Sequence, residues 1–534
     1  MRAIFHSAAF VLLAAIFFLS CNNDAGPSEL TLFPVATDED YMFIDNKGKI
    51  VINPQFGEAS VHRNGIALVK TSGEKGVWGY IDEKGTYVIN AQYKEATVFQ
   101  EDIAWVVSEG STPTAINEKG DVLFLAQDAR YVRVFSEGLA AYRNNGTEEK
   151  ARWGFLDKSG NVAIQPQFGF ASDFHEGLCC VRNEEDKFGF ADKQGTIVIN
   201  YQFESAGDFS NGHAVVVSND KYGVIDAAGK YVVNPQYDEI TLDGDRILFR
   251  QKDKWGWAEL NGTITINPQF VSAVPFGNND LAAVESGNKW GFINRDGTFE
   301  INPQFDRAFS FNGDLALVTT GSSYGFVNRE GKYVINPQYQ KVSYDMIYHI
   351  VLGQTEYRAV ESDYFDAGAI LGVVNLLSPE GFGRETTFGE VAQKYGKEGS
   401  DFEDYSSLHE MVEETEISAD AFYSFYVAGL AHKLETVQKG SGWFTYNDYN
   451  WVFDPAVKPS YYVYRIYLRG QAMGREEKVI DLLKETLNGF EEIENEEGKT
   501  EFSNGEQTVQ FSYESGRIDI LIEFNGVETV VEAP

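Results

Sequence analysis

The sequence predicts a mainly β fold. Residues 31–341 read as tandem three-stranded antiparallel β repeats, propeller-like or wound as an open β superhelix, and residues 342–534 as an α+β domain of one or two subdomains. Three observations predict this. A phrase of about 35 residues recurs along residues 41–340. Each copy holds a glycine three places after an Asp, Asn or Glu, the mark of a hairpin turn. Apolar residues between the turns follow a period of two, with no room for helices.

The phrase is clearest at Lys289-Trp290-Gly291-Phe292-Ile293-Asn294, followed by Gly297 and by Ile301-Asn302-Pro303-Gln304-Phe305. Aligned on the aromatic before the first glycine, nine copies begin at Tyr41, Trp78, Thr114, Trp153, Phe188, Tyr222, Trp255, Trp290 and Tyr324. The third copy is degenerate. In the first strand, Trp290 and Phe292 fall on one face and Gly291 and Ile293 on the other. Glycine weakens a strand unless something approaches closely, so Gly291 marks contact with a neighbouring backbone or ring. The turn that follows, as in Asp45/Gly48, Asp82/Gly85, Asp157/Gly160, Asp192/Gly195 and Asp226/Gly229, suits a type I turn with a glycine bulge. The second strand ends in Asn-Pro-Gln-aromatic. Proline cannot donate to a ladder and belongs at a sheet edge. A third strand follows a Phe, as in Phe135-Ser136-Glu137-Gly138. With apolar residues on both faces, each sheet must stack on its neighbours.

The recurring Trp-Gly-Phe/Tyr-Ile-Asp, the spaced glycine and the Asn-Pro-Gln-Phe/Tyr resemble the WG-repeat family of bacteria, also called KWG repeats. The resemblance covers residues 41–340. Copy one departs with Met42 in the glycine place, and copy three keeps little beyond Asn117, Gly120 and the Phe135 segment. The resemblance implies a β-rich repeat with an interaction role and no general catalytic residues.

Residues 1–20 read as an export signal, with Arg2 first and then an apolar run from Ala8 to Leu19. The run is too short to span a bilayer comfortably. Its end, Phe18-Leu19-Ser20-Cys21, resembles the bacterial lipoprotein signal, although the usual Leu lies one place late. That resemblance implies lipid attachment at Cys21, with residues 21–30 as a tether. Several acyl chains on one residue anchor durably, since each buried methylene adds about 0.8 kcal/mol.

After Gln340 the phrase stops. Helical patterns occupy Glu361–Leu377, Thr387–Tyr395, Ala419–Val437 and Glu476–Phe490, and strands are expected at Tyr461–Leu468, Glu506–Tyr513 and Arg517–Phe524. The order strand, helix, strand, strand indicates an α+β domain.

A formal charge of -36 argues against nucleic acid, whose binding needs Lys and Arg. It also disfavours electrostatic binding to anionic lipid. The membrane is therefore reached through the lipid anchor only. Cys179 and Cys180 are adjacent in a strand and point to opposite faces, as two small buried hydrophobes. His62, His175, His213, His349, His409 and His432 show no metalloprotease spacing. Gly381-Phe382-Gly383 is no complete dinucleotide fingerprint. The turn acids are expected to cap their own turns rather than cage calcium, and the repeat aromatics to pack between sheets rather than stack on sugars. The acidic run Glu491–Glu497 reads as a solvated loop. No cofactor, metal or catalytic residue is expected.

These features together predict a non-catalytic binding protein, exported and lipid-anchored at the cell envelope. Its anchor is at the outer membrane, on the periplasmic or surface face, and its partner is an envelope or extracellular protein or glycan. Two rivals stand beside it: an envelope enzyme with its site in residues 342–534 and the repeats as a targeting platform, and a purely structural envelope component.

Overall fold

The computed structural model describes residues 29–145, 150–353 and 358–364, and most residues of the strands and helix between 410 and 524. The chain divides into two compact units, with the boundary between Asp363 and Tyr364.

In the first unit the repeating sheet has four strands, one more than the sequence suggested; the first two such groups share Ile50–Ala59 in one seven-stranded sheet, and one group carries a fifth strand. Ser272–Ala273, Leu281–Ser286, Lys289–Asn294 and Phe299–Phe305 pair in sequence order as one antiparallel sheet, and their positions are called a to d. Strand a is two residues long in this sheet, pairing Ser272 with Glu285 and Ala273 with Val284. That is too short to leave a periodic signal. The sheets are also offset from the sequence phrase. Strands c and d of one sheet open a phrase, and its last strand is strand b of the next sheet, as Thr319 opposite Tyr324 shows.

This offset leaves the first sheet without a strand a. The end of the array supplies it: Lys341–Val342 pairs with Ala36 and Val35 of Leu32–Ala36. Nine four-stranded groups, or blades, thus join head to tail in a closed ring. Nine apolar cores fill the nine gaps between them, where an open array would have eight. The closing core joins Phe33, Val35 and Ile44 of blade 1 to Leu317, Phe326 and Ile335 of blade 9. Within the ring one aromatic contact recurs. Phe155–Phe174, Phe190–Phe209 and Phe292–Phe311 each bridge adjacent blades at 4.7 to 4.8 Å between ring centres. Trp290 and Phe292 face blade 9, and Ile293 faces blade 7, as alternation requires.

Gly291 sits where the backbone of strand d folds over strand c. Trp290 pairs with Phe305 and Phe292 with Ile301, so residues 302–304 bulge across a single glycine. A Cβ on Gly291 would lie 2.5 Å from the Ile301 carbonyl oxygen and 2.7 Å from the Pro303 nitrogen. The turn glycines have another reason. All nine, from Gly48 to Gly331, have φ between 75° and 86°. Most also pack against an isoleucine of the preceding blade: Gly85 on Ile52, Gly297 on Ile266, and, across the closure, Gly48 on Ile335. Gly262 has open space instead, because blade 6 carries the smaller Val233 there.

The ring is filled from inside. The helix Tyr344–Leu352 follows the closing strand, and Met346, Ile347 and Ile350 join the core between blades 9 and 1. The Asp345 carboxylate, fully buried, accepts from the Val61 amide (2.9 Å) and both Arg63 guanidinium nitrogens (2.7 and 3.2 Å) in blade 2. Ala359–Glu361 then adds a strand to the inner edge of blade 4, pairing with Tyr131–Arg133. Glu361 binds Arg130 at 2.7 Å, Arg358 binds Asp173 of blade 5, and Asp363 binds Lys94 of blade 3. One short stretch reaches so many blades only because their a edges converge on a common channel. A ring this wide leaves a channel to fill, since propellers ordinarily have four to eight blades.

Cys179 and Cys180 are both buried free thiols. Cys179 lies in the core between blades 4 and 5 and Cys180 in the core between blades 5 and 6. Burial raises both thiols well above the usual cysteine range. Neither is expected to react with a thiol reagent such as 5,5'-dithiobis(2-nitrobenzoate) in the native protein, and both should react in denaturant. Rapid native labelling of the Cys21→Ala chain would show that the strand is not buried as described.

The second unit holds a seven-stranded antiparallel sheet. Its order is Glu410–Ser418, Ala421–Ala428, Tyr461–Leu468, Arg517–Phe524, Gln507–Glu514, Thr500–Ser503 and Glu491–Glu494. His432–Ser441 and Phe444–Phe453 form a separate two-stranded sheet. The helix Glu476–Lys484 buries Val479, Ile480 and Leu483. The strand, helix, strand, strand order is as read from sequence. The helix expected over Ala419–Val437 is not formed, because Ala421–Ala428 and His432–Ser441 are strands. Phe422, Tyr423, Phe425, Tyr426 and Val427 favour an extended chain, and pairing on both sides decides for it. Glu361 ends a strand rather than starting a helix, and the rest of that expected helix, 365–377, lies outside the described residues. Of Thr387–Tyr395 only Glu390, Gln393 and Lys394 are described, all helical. Part of the acidic run, Glu491–Glu494, is a paired strand instead of a loop.

Candidate ligand-binding site

The residues repeated in every copy are consumed by construction. The turn aspartates cap their own turns: the Asp45 carboxylate accepts from the Lys47 and Lys49 amides at 2.9 Å, and Asp82 accepts from Lys84 and Thr86. These amide hydrogen bonds hold the carboxyls of Asp45 and Asp82 below the usual range. Trp78, Trp255 and Trp290 are buried in the cores between blades. Among the described residues, no three His, Cys, Asp or Glu side chains are grouped to hold a metal. His62 packs edge-on against Phe43 at 4.9 Å, and His213 lies 2.6 Å from the Asn211 carbonyl oxygen. Cys21, His409 and Gly381-Phe382-Gly383 lie outside the described residues, and His432 begins a strand.

What the repeat leaves free is the lining of the channel. The first residue of strand a varies: Glu95, Phe170, Ser205, Glu239, Ser272, Arg307 and Lys341 occupy it in turn. Between blades 7, 8 and 9 and the helix Tyr344–Leu352 lies an apolar cavity of about 60 Å³. Trp255 and Trp290 wall it from the ring, Ile347, Val351 and Leu352 from the helix, and Glu239 and Arg307 bring charge. Glu239 is 3% exposed. One of its oxygens binds the Arg250 Nε at 2.7 Å, and the other, Oε1, has no hydrogen-bond partner. A buried unpaired acceptor costs roughly 1–3 kcal/mol, so the pocket favours a small group that donates a hydrogen bond there. Sequence reasoning missed Glu239. No signal in the sequence set it apart, since Glu95 stands at the same place in blade 3.

Burial lifts the Glu239 carboxyl to about 7, against the opposing pull of Arg250. Its folded pKa therefore exceeds its unfolded value, so its stabilising contribution is complete below the unfolded pKa and lost as pH rises through 7. The Glu239→Gln variant should match the parent in melting temperature near pH 5 and exceed it at pH 8. An unchanged difference across that range would exclude the assignment.

Head-to-tail four-stranded sheets, an end-to-start closure and a filled channel define a closed β-propeller built from sequence repeats. Its repeats are of a known kind: the family described as WG containing repeat matches residues 41–74, 78–110, 153–187, 188–222, 222–255, 255–290, 290–322 and 324–345, so the chain carries WG repeats across 41–345. Residues 111–152, which hold most of copy three, are passed over. Solved structures similar to the chain include a eukaryotic initiation factor, at 13% identity and TM-score 0.42 over 59% of this chain and 97% of that one. They also include the computationally designed Ika8 protein, at 10% identity and TM-score 0.31 over 58% and 98%. BamB from Moraxella catarrhalis is similar at 12% identity and TM-score 0.29 over 57% and 92%. No curated protein sequence matches the chain.

Proposed function

We propose that the protein is a non-catalytic binding protein, exported and lipid-anchored through Cys21 at the cell envelope, with a protein or glycan as its partner. One observation carries the binding role. The repeated residues build the ring, so the positions that differ between blades are free to vary on a rigid support. Function on repeat scaffolds resides in such variable positions. The anchor rests on the apolar run ending at Ser20-Cys21. The test is capture of envelope proteins and glycans by the purified chain lacking residues 1–20, together with metabolic labelling of the full chain by an alkyne fatty acid. Label on the parent and none on Cys21→Ala supports the anchor. Failure to retain any envelope component would remove the binding role.

A further inference from the structure

Copy three is the one copy that has lost the phrase, yet its residues still form a blade: Glu95–Ala96, Ala104–Val107, Thr114–Ile116 and Val122–Leu125 pair in order. What it lost is specific. Strand d has four residues here and seven in blade 8. Where Trp290 faces Phe305 in blade 8, Thr114 faces Leu125 in blade 3. The outer end of the sheet thus lacks a large aromatic pair. Phe124 still covers Gly160 of blade 4, the role an isoleucine has elsewhere, so the two blades stay packed. Beyond Leu125 a cleft of about 540 Å³ opens against blade 4. That size is ordinary for a ligand site.

The cleft is polar. Gln127, Asp128, Asn144 and Gln165 line it with amide and carboxylate groups, and Pro166 and Val162 give it apolar ground. Among the described residues, no Lys or Arg lines it. Asn144 spends its carbonyl oxygen on the Arg152 amide at 2.7 Å, which leaves its NH₂ available. Tyr142 adds a phenol to the lining. It is 3% exposed, packed in the core between blades 3 and 4, and lines the cleft. Its hydroxyl has no hydrogen-bond partner among the described residues. Burial, and then the Asp128 carboxylate on the same cleft, push that phenol up to about 12. The ring is packed in the core while the hydroxyl is open to the cleft, so a ligand there can pair with it.

From this we infer that the cleft between blades 3 and 4 binds an uncharged saccharide. Sugar hydroxyls both donate and accept, which suits one carboxylate, three amides and a phenol. An acidic glycan or a phosphate would meet Asp128 with no cation to offset it. The inference rests on the binding role proposed above and selects the glycan from its two partner classes.

The test is calorimetric titration of the full chain lacking residues 1–20 with cellotetraose, chitotetraose and mannotetraose, and with tetragalacturonate as the acidic counterpart. At least one neutral tetrasaccharide should bind and the acidic one should not. Asp128→Ala and Tyr142→Phe should each weaken binding about tenfold, the value of one hydrogen bond. Gln194→Ala, on an exposed turn of blade 5, should leave it unchanged. Tyr142→Phe keeps the packed ring, so an unchanged melting temperature would separate lost recognition from lost folding. Binding that ignores both cleft variants, or a preference for the acidic sugar, overturns the inference. If no neutral sugar binds while an envelope protein is still captured, the cleft is wrong and the binding role survives. If neither is retained, both fall.

Discussion

Gly291→Val is expected to destabilise the ring by about 4 kcal/mol, at the upper end of what a single substitution does. The reason is steric rather than conformational. Gly291 has no positive φ, so any residue could adopt its backbone. The difficulty is the space above it. The Asn-Pro-Gln bulge passes so close that a Cβ would meet three backbone atoms within 2.9 Å, and backbone cannot step aside as a side chain does. Equivalent contacts stand over Gly154, Gly189, Gly223, Gly256 and Gly325, so the bulge and the glycine are one device repeated round the ring. Gly65 supplies the contrast. It has φ of 80° with nothing within 4 Å of a Cβ. Gly65→Ala therefore strains only the backbone and should cost about 1 kcal/mol. Urea unfolding of both variants separates the two causes. If Gly291→Val cost no more than Gly65→Ala, the close approach of strand d would be refuted.

The second large effect is expected at Asp345→Ala, with a loss of about 3 kcal/mol. Asp345 ties the channel helix to blade 2, on the far side of the closure from blade 9. Its carboxylate is wholly buried and the Arg63 side chain is 17% exposed. Truncation strands a mostly buried guanidinium and leaves the Val61 amide without its acceptor, and each carries a desolvation cost. Asp345→Asn keeps an acceptor for Val61 but loses the charge, and should fall between. A double-mutant cycle with Arg63→Ala isolates the pair, because removing both partners spares the cost of the orphaned charge. A loss under about 0.5 kcal/mol in Asp345→Ala, the range of ordinary surface changes, would mean that the helix is not latched to the ring through this residue.

Much of this was legible in the chain. The turn glycine in all nine copies dictated a hairpin, since only a residue without Cβ is at ease at φ near 80°. The alternation of Trp290, Gly291, Phe292 and Ile293 gave the two buried faces. Cys179 and Cys180 were assigned to opposite faces on the same ground, and they lie in different cores. Strand a was not legible, because two paired residues carry no period. The second unit misled over Ala421–Ala428, where apolar residues fit a helical stripe as well as a strand and hydrogen bonding to Glu410–Ser418 and Tyr461–Leu468 chose between them. Glu239 and the cleft beside Tyr142 were invisible for another reason. Each is made by residues distant in sequence, and only their neighbours give them meaning.

By itself the sequence determined the unit: its turns, its bulge, its two-faced sheet and the number of copies. These are local matters, settled by Cβ sterics, proline's missing donor and the pleat. Only the tertiary structure decided that nine units close rather than wind on. Closure turns on Lys341–Val342 meeting Val35–Ala36 about 300 residues away, and on a helix and strand that fill the channel. Whether the ends meet depends on the small rotation between neighbouring sheets summed nine times. That sum is set by how side chains interlock at nine interfaces, and no single copy encodes it.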